Sequence, residues 1–182
     1  MTSRAHDANV LGALAQAVAD RTTAAVTSAS GQNSSAAAAL SALHQFLDRP
    51  TVDRLRDVLG LTHSGAVRLI DRLADSGLVE RGEGDDKRSR SVLLTAAGHA
   101  AAERVAAART AVLDDLVAAL PPPEQAALGG LLDRLMAAVV HSKDGGAWIC
   151  RQCDLGACER ADGHCPAARA AADKYGLDSL PE

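Results

Sequence analysis

Aromatic residues are scarce in this sequence, with one Phe, one Trp and one Tyr among 182 residues. Hydrophobic residues nevertheless make up 47% of the chain, and alanine supplies much of that share. Alanine favours helix but buries little apolar surface. We therefore expect a helical protein with thin cores, whose helices need a partner to cover their apolar faces.

The chain also lacks long apolar runs and an excess of positive charge. No stretch reaches the roughly 18 apolar residues of a membrane helix, and the N-terminus MTSRAHDANV lacks a secretory pattern. We expect a cytoplasmic protein with no membrane partner. The formal net charge of −4 does not exclude nucleic acid, because DNA binding needs only a local basic patch.

Catalytic patterns are missing as well. The sequence contains no Ser/His/Asp arrangement, no glycine-rich phosphate loop and no paired carboxylates. We therefore do not expect an enzyme.

Apolar periodicity predicts two helices in the first quarter of the chain. The first covers residues 7–29, and the second carries Leu40, Leu43, Phe46 and Leu47 at helical spacing. The pair Arg49-Pro50 predicts its end, because a residue before proline is displaced from helical angles.

Residues 51–94 have the pattern of a winged helix–turn–helix. Thr51 and Thr62 are placed to cap helices that end before Gly60 and Gly77. Two short strands follow, 78–81 and 91–94, joined by a polar loop with glycines. The fold class predicted is therefore mainly α, with a two-stranded wing and helices left over for dimerisation.

The helix that starts after Thr62 has two unlike faces. Helical spacing turns Val67, Ile70, Leu73 and Ala74 inward, and the charged side chains point the other way. Arg68 is the leading candidate to read a base, because arginine can donate two hydrogen bonds to guanine. A solvated charged face is the alternative interpretation, and the ordered context favours DNA reading.

The loop between the strands carries Lys87, Arg88 and Arg90, three cations suited to a phosphate backbone or the minor groove. Asp86 is expected to brace Arg88 or the turn. Over residues 62–94, however, six Lys/Arg balance six Asp/Glu, so a basic surface there depends on geometry. The candidate DNA-binding residues are Thr62, His63, Ser64, Arg68, Arg72, Asp86, Lys87, Arg88 and Arg90.

Residues 51–98 resemble the winged-helix core of the MarR (multiple antibiotic resistance regulator) family. The matching pieces are A-V-R-L-I-D-R-L, S-G-L-V-x-R, D-K-R and L-T-x-x-G, and the similarity extends over about 7–141. The resemblance implies a homodimer that places Ser64 and Arg68 in the major groove and Arg88 in the minor groove, supported by Asp86. It also implies a small-molecule effector site between the dimer helices and the winged unit.

Two long helices are predicted after the wing, over about 95–120 and 123–141, separated by three prolines. The second carries a wide apolar stripe from Leu128 to Val140, which a monomer would leave exposed to solvent. We expect this stripe to pair in a homodimer, which presents two recognition helices to a palindromic operator. The resemblance implies that the helices over about 7–29, 95–120 and 123–141 hold that dimer.

All four cysteines lie in the tail, predicted as a separate segment over 147–176. Their spacing is C-x2-C-x4-C-x6-C, over Cys150, Cys153, Cys158 and Cys165. Four thiolates suit either a closed zinc site or an iron–sulfur cluster, and the Cys165-Pro166 ending favours the cluster. A thiol–disulfide switch is the metal-free alternative. His164 can replace one thiolate but is expected outside the ligand set.

The function predicted is a sequence-specific DNA-binding regulator, acting as a repressor, whose tail senses redox state or nitric oxide or binds zinc. The alternative is an electron-transfer or metal-handling protein that uses the cysteines, with the winged helix as a protein-binding module. A basic wing placed directly after a helix–turn–helix favours the regulator.

Overall fold

The computed structural model describes residues 3–83, 90–142 and 147–177. Within those ranges the chain forms helices and one two-stranded antiparallel sheet. In chain order these are α1 (Arg4–Ser30), α2 (Ser34–Gln45), α3 (Val52–Leu59), α4 (His63–Asp75), β1 (Val79–Glu83), β2 (Arg90–Leu94), α5 (Ala96–Ala118), α6 (Pro122–Ser142), α7 (Ala147–Cys150), α8 (Leu155–Cys158) and α9 (Pro166–Tyr175).

The caps predicted for the helix–turn–helix are confirmed. Thr51 and Thr62 have extended backbones, and their hydroxyls accept the backbone N–H of Arg54 and Gly65. Gly60 ends α3 with φ of +66°, in the left-handed region that glycine enters without strain. Thr95 caps α5 in the same way, by accepting the backbone N–H of Gly98.

The core lies at the junction of α2 with the helix–turn–helix and the wing. α2 is buried almost throughout, and Leu40 packs with Leu55 from α3 and Leu69, Ile70 and Leu73 from α4. Several alanines of α2 are fully covered, which allows neighbouring helices to approach closely. This arrangement packs α3 and α4 against one common core.

Two sequence predictions about these helices were wrong in detail. α2 ends at Gln45 rather than at Arg49-Pro50, because Phe46 leaves helical geometry with φ of −154° and Leu47 turns into the core. On α4 the buried stripe includes Ala66 and Leu69, whereas Val67 lies at its edge and is half-buried.

The wing is the predicted hairpin, with its strands extended toward the loop. Its register pairs Val79 with Leu94 at the base and Glu83 with Arg90 at the end nearest the loop. Thr51 forms an additional antiparallel bridge to Ser91, which fastens the wing to the start of α3. The wing candidates Asp86, Lys87 and Arg88 lie outside the described residues.

The long helices surround this unit. α1 packs along α5, and α6 packs against α9 of the tail. Much of the apolar stripe predicted on α6 is exposed in the single chain, as is the start of α1. In the described part of the chain, no helix is long and apolar enough to span a membrane.

Candidate nucleic-acid interface and cysteine cluster

The N-terminal turn of α4 is exposed and rich in hydrogen-bonding groups. Thr62, His63 and Ser64 are all exposed, and the hydroxyl oxygens of Thr62 and Ser64 lie 3.4 Å apart. The Thr62 hydroxyl accepts from the Gly65 N–H at 3.1 Å, so its own proton is left to donate. A helix N-terminus with such side chains is suited to a phosphate oxygen or a base edge.

The structure places Arg68 and Arg72 on the exposed side of α4, one turn apart. Among the described residues, neither guanidinium has a hydrogen bond or ion pair to another side chain. Both are therefore available to a partner from outside the chain. Arg68 lies closer to the helix start, where helix–turn–helix proteins contact bases.

An ion cluster joins the two helices of the motif. Nδ1 of His63 lies 3.2 Å from Oδ1 of Asp53 on α3, and Arg56 reaches the same oxygen at 3.1 Å. Asp57 holds Arg56 from the other side, and its hydrogen bond and charge raise the pKa of that guanidinium. His63 therefore contacts α3 as well as facing outward.

Sequence reasoning missed Arg54 as a candidate. It is exposed at the start of α3, one residue from Asp53, and the His63–Asp53 contact brings this end of α3 to the start of α4. The first helix of a helix–turn–helix crosses the DNA backbone, so a cation here suits a phosphate. The sequence signal that could have found Arg54 is its position three residues after the Thr51 cap, in the first turn of α3.

The base of the wing is tied to α4 by an ion pair between Arg81 and Asp71. The guanidinium of Arg81 therefore already has an ion-pair partner, and the negative charge of Asp71 on α4 is offset. Arg90 begins β2 and is exposed beside the loop. Of the residues predicted to contact DNA, the structure thus collects Thr62, His63, Ser64, Arg68 and Arg72 on α4, with Arg90 on the neighbouring wing.

The four cysteines lie at the ends of short elements in the tail and are free of disulfides. Cys150 ends α7, Cys158 ends α8 and Cys165 precedes α9, with Cys153 between the first two. Cys150 and Cys165 are buried, and the other two are half-buried. Sγ of Cys153 lies 3.8 Å from the carbonyl oxygen of Ile149, and Nη1 of Arg160 lies 4.0 Å from Sγ of Cys150.

Electrostatics differ between the thiols. The hydrogen bond from Cys153 lowers the pKa of Cys150 to about 7, with help from the Arg160 cation and against the effect of burial. The same hydrogen bond, with burial, raises the pKa of Cys153. Burial and the hydrogen bond with Cys165 raise the pKa of Cys158 to about 12. In the described ranges, no group of three or more His, Cys, Asp or Glu side chains is placed to hold a metal ion.

The tail packs against the helix–turn–helix. α7 contacts α3, and the backbone N–H of Leu155 donates to the side-chain oxygen of Gln45 at 3.0 Å, at the end of α2. Trp148 is half-buried in α7. α9 is held on α6 by an ion pair between Arg169 and Asp133 and by Lys174, which donates to the Val140 carbonyl.

A cavity of about 520 Å³ lies between the body and the tail. Its lining includes Arg109 from α5 and Arg151 from the tail, together with residues of α1, α2 and α3. The hydroxyl of Thr22, on its wall, is buried without a hydrogen-bond partner among the described residues. Two cations and an unpaired hydroxyl make this cavity suited to a small anion.

Comparison with known protein families gives a match to the MarR family over residues 30–89. That range contains α2, the helix–turn–helix and β1 of the wing. The winged-helix part of this chain is thus similar to the MarR family. The members of that family are transcriptional regulators rather than enzymes.

Solved MarR-family structures share the fold. Wild-type MarR from E. coli, in its apo form, is 25% identical with a TM-score of 0.56, over 69% of this chain and 96% of that one. A probable transcriptional regulator from Pseudomonas aeruginosa is 28% identical with a TM-score of 0.53, over 68% and 95%.

MepR, a regulator of the Staphylococcus aureus efflux pump MepA, is 15% identical with a TM-score of 0.64, over 76% of this chain and 99% of that one. Comparison with curated protein sequences gives no match. These structures are covered almost completely, whereas roughly a quarter to a third of this chain extends beyond each alignment.

Proposed function

We propose that this chain is a sequence-specific transcriptional repressor that binds a palindromic operator as a homodimer. The observation that carries the proposal is the exposed first half of α4, where Ser64 and Arg68 stand clear on the second helix of a MarR-family helix–turn–helix. Helices in this position enter the major groove with their early residues on the base edges.

Arg68 is the residue proposed to read a base. A guanidinium placed in the major groove donates two hydrogen bonds to O6 and N7 of guanine, and such a pair discriminates by roughly 1–3 kcal/mol. Arg68 meets the requirement because no described side chain already holds it. Ser64, one turn earlier on the same face, is proposed to bond a neighbouring base or phosphate.

The surrounding polar groups are proposed to hold the backbone of the DNA. Thr62 and His63 at the start of α4, Arg72 further along it and Arg90 on the wing border the reading face. Lys87 and Arg88 are proposed to follow the phosphates or enter the minor groove, with Asp86 bracing them. A mutant of S. aureus MepR solved bound to an oligodeoxyribonucleotide, 17% identical with a TM-score of 0.55, shows that this fold can hold DNA.

The exposed apolar face is proposed to form the homodimer. On α6, Leu131, Leu132, Leu135 and Val139 are each about half exposed, and on α1 Leu11 lines a groove shared with α6. The groove between these helices has a volume of about 850 Å³ and an almost wholly apolar lining. Two-fold pairing buries this face and sets two copies of α4 against one operator.

Two signals are proposed to control DNA affinity. One is a small anionic effector in the cavity lined by Arg109, Arg151 and Thr22, which lies beside α2 and α3. The other is the chemistry of the cysteine tail, which contacts α3 through α7 and α2 through Gln45, and which senses zinc, redox state or nitric oxide. Such a regulator would act in the cytoplasm, where its DNA lies.

The test is a gel shift with the full-length protein on the DNA upstream of its own gene. We expect a sequence-specific complex that weakens steeply with added salt, because the phosphate contacts release counterions. Unlabelled DNA of scrambled sequence serves as competitor. Equal competition by scrambled DNA, or no shift at low salt, would contradict the proposal.

A further inference from the structure

We propose that Cys150 and Cys153 form a reversible disulfide when hydrogen peroxide oxidises the tail, and that this bond weakens the contact between the tail and the helix–turn–helix. Both thiols are free in this structure. The proposal rests on the regulator proposed above, because it names one chemical signal for the tail. The bond itself can be detected without DNA.

The backbone between the two cysteines already has the shape that a disulfide requires. The N–H of Cys153 donates to the carbonyl of Cys150 at 2.9 Å, which closes a turn through Arg151 and Gln152. Such a turn keeps its first and last Cα atoms within about 7 Å, and a disulfide spans roughly 4.4–6.8 Å between Cα atoms. The bond can therefore form inside one turn, without bringing two distant segments together.

Two contacts assign different roles to the two sulfurs. Nη1 of Arg160 lies 4.0 Å from Sγ of Cys150, and a cation in this position favours the thiolate, which is the nucleophilic form of cysteine. Sγ of Cys153 donates to the carbonyl oxygen of Ile149 at 3.8 Å, which requires a protonated thiol. Cys150 is therefore the sulfur that attacks the peroxide, and Cys153 is the sulfur that resolves the product.

Burial restricts the oxidant to a small molecule. Only 8% of Cys150 is exposed, whereas Cys153 is half-buried. Hydrogen peroxide is small enough to reach a sulfur that a bulky organic hydroperoxide cannot approach. We therefore expect the site to discriminate against large peroxides such as cumene hydroperoxide.

The reaction takes two steps. The thiolate sulfur of Cys150 attacks one peroxide oxygen, the O–O bond breaks, and the departing hydroxide takes up a proton as water, which leaves a sulfenic acid. Sγ of Cys153 then bonds to the sulfur of Cys150, the S–O bond breaks, and the hydroxyl leaves with the Cys153 proton as a second water. Two thiols have lost two electrons and two protons, and one peroxide has become two waters.

The bond acts on the part of the tail that faces the rest of the chain. Arg151 and Gln152, the two residues inside the turn, line the cavity between the body and the tail, and α7, which ends at Cys150, packs against α3. Joining the sulfurs takes Cys153 from Ile149 and Cys150 from Arg160, so the turn and the end of α7 shift together. We expect the oxidised chain to bind its operator about 5-fold or more weakly, the lower end of typical coupling between two sites.

The experiment is mass spectrometry of the full-length protein after treatment with hydrogen peroxide. We expect the mass to fall by that of two hydrogen atoms and to recover with dithiothreitol. Trypsin cuts after Arg151, so a Cys150–Cys153 bond joins two peptides. Cys158→Ser should keep this cross-link, whereas Cys153→Ser should stop at a sulfenic acid on Cys150, which dimedone traps. Cumene hydroperoxide should react more slowly with the wild type.

The single tryptophan of the chain gives a second readout. Trp148 is half-buried in α7, two residues before Cys150. Its emission should change when peroxide oxidises the wild type or Cys158→Ser, and it should stay constant in Cys150→Ser. Gel shifts with the reduced and the oxidised protein then measure the effect on operator affinity.

The proposal fails if the treated wild type carries no Cys150–Cys153 bond, if a bond to Cys158 or Cys165 forms instead, or if a metal held by the thiols blocks the reaction. Equal rates with cumene hydroperoxide would contradict a buried attacking sulfur. Unchanged operator affinity after oxidation would exclude the disulfide as a control of DNA binding. A reduced chain that forms the disulfide but binds no operator would contradict the regulator and leave the redox site standing.

Discussion

Two acids near the reading face, Asp71 and Asp53, form ion pairs with residues other than Arg68. Asp71 binds Arg81, and Asp53 is shared between Arg56 and His63. These pairs remove acids from competition with DNA and leave Arg68 charged and unheld among the described residues. The positive and negative charges over residues 62–94 balance in number, but these ion pairs leave the guanidinium of Arg68 available to DNA.

Replacing Arg68 with alanine should weaken operator binding by about 5- to 150-fold, the equivalent of roughly 1–3 kcal/mol. The loss should fall on the operator and hardly on scrambled DNA, because a base contact is lost. Fluorescence anisotropy with both DNAs measures it. Arg21→Ala, which removes the same charge from an exposed site on α1, is the control. Equal loss in both variants would contradict base reading by Arg68.

Among the described glycines, Gly98 has the least room for a side chain. A Cβ added there would overlap the carbonyl oxygen of Leu78, so α5 can approach the wing only because this residue has no side chain. Gly98→Ala should lower the free energy of unfolding by roughly 1–3 kcal/mol, as overpacking does.

Urea unfolding measures this change, and Gly12→Ala is the matched control. The new methyl at Gly12 meets nothing within 4 Å, and alanine in a helix interior stabilises by roughly 0.5–1 kcal/mol. Gly98→Ala is expected to lower the free energy of unfolding, and Gly12→Ala to raise it. A neutral Gly98→Ala variant would mean that α5 and the wing are not packed as described.

At the scale of elements, Thr95 fastens α5 to the turn before the wing. Its hydroxyl donates to the Gly77 carbonyl at 2.7 Å and accepts from the Gly98 N–H at 3.0 Å. Thr95→Ala should cost about 1–2 kcal/mol of unfolding free energy, because a helix cap and a tertiary hydrogen bond are lost together.

Thr95→Ser keeps the hydroxyl and should recover most of that stability. Thermal unfolding followed by circular dichroism compares the three proteins. If serine is as destabilising as alanine, packing of the threonine methyl, and not the hydrogen bonds, is the cause.

Sequence reasoning succeeded where structure is decided locally. The caps at Thr51 and Thr62 depend on one side chain and a backbone N–H within three residues, so the pattern alone predicted them. The hairpin and the order of elements followed from the same short-range signals. The fold class was therefore available before any coordinates.

It failed where tertiary packing decides. Phe46 and Leu47 continue the helical spacing of α2, yet burial of Leu47 against the core ends the helix early. Ile70 and Leu73 of α4 are buried as predicted, but Ala66 and Leu69 are the buried residues beside them, whereas the predicted Val67 is only half-buried. The docking of Leu155 on Gln45 joins residues 110 positions apart in the chain, and no spacing rule predicts it.

At the scale of the whole molecule, the exposed leucines of α6 leave the single chain incomplete. Leu135 is 45% exposed within a continuous apolar surface, and burying it fully in a second copy contributes roughly 1 kcal/mol. Summed over the leucines and valines of α1 and α6, this contribution is the basis for the proposed homodimer.

Leu135→Glu should turn the dimer into a folded monomer and lower operator affinity, because one chain presents only one α4. Light scattering after size-exclusion chromatography gives the mass. Ala100→Glu adds the same charge at an exposed position of α5 and should remain dimeric. A Leu135→Glu variant that keeps the dimeric mass would place the interface elsewhere.

The central claim is that two copies of α4 read one palindromic DNA site, and hydroxyl-radical footprinting of the complex tests it most directly. The expected footprint is symmetric about a two-fold axis, with protected half-sites centred about one helical turn, roughly 10 base pairs, or a multiple of it apart. Protection of a single half-site, or a footprint without symmetry at saturating protein, would contradict a dimeric DNA reader.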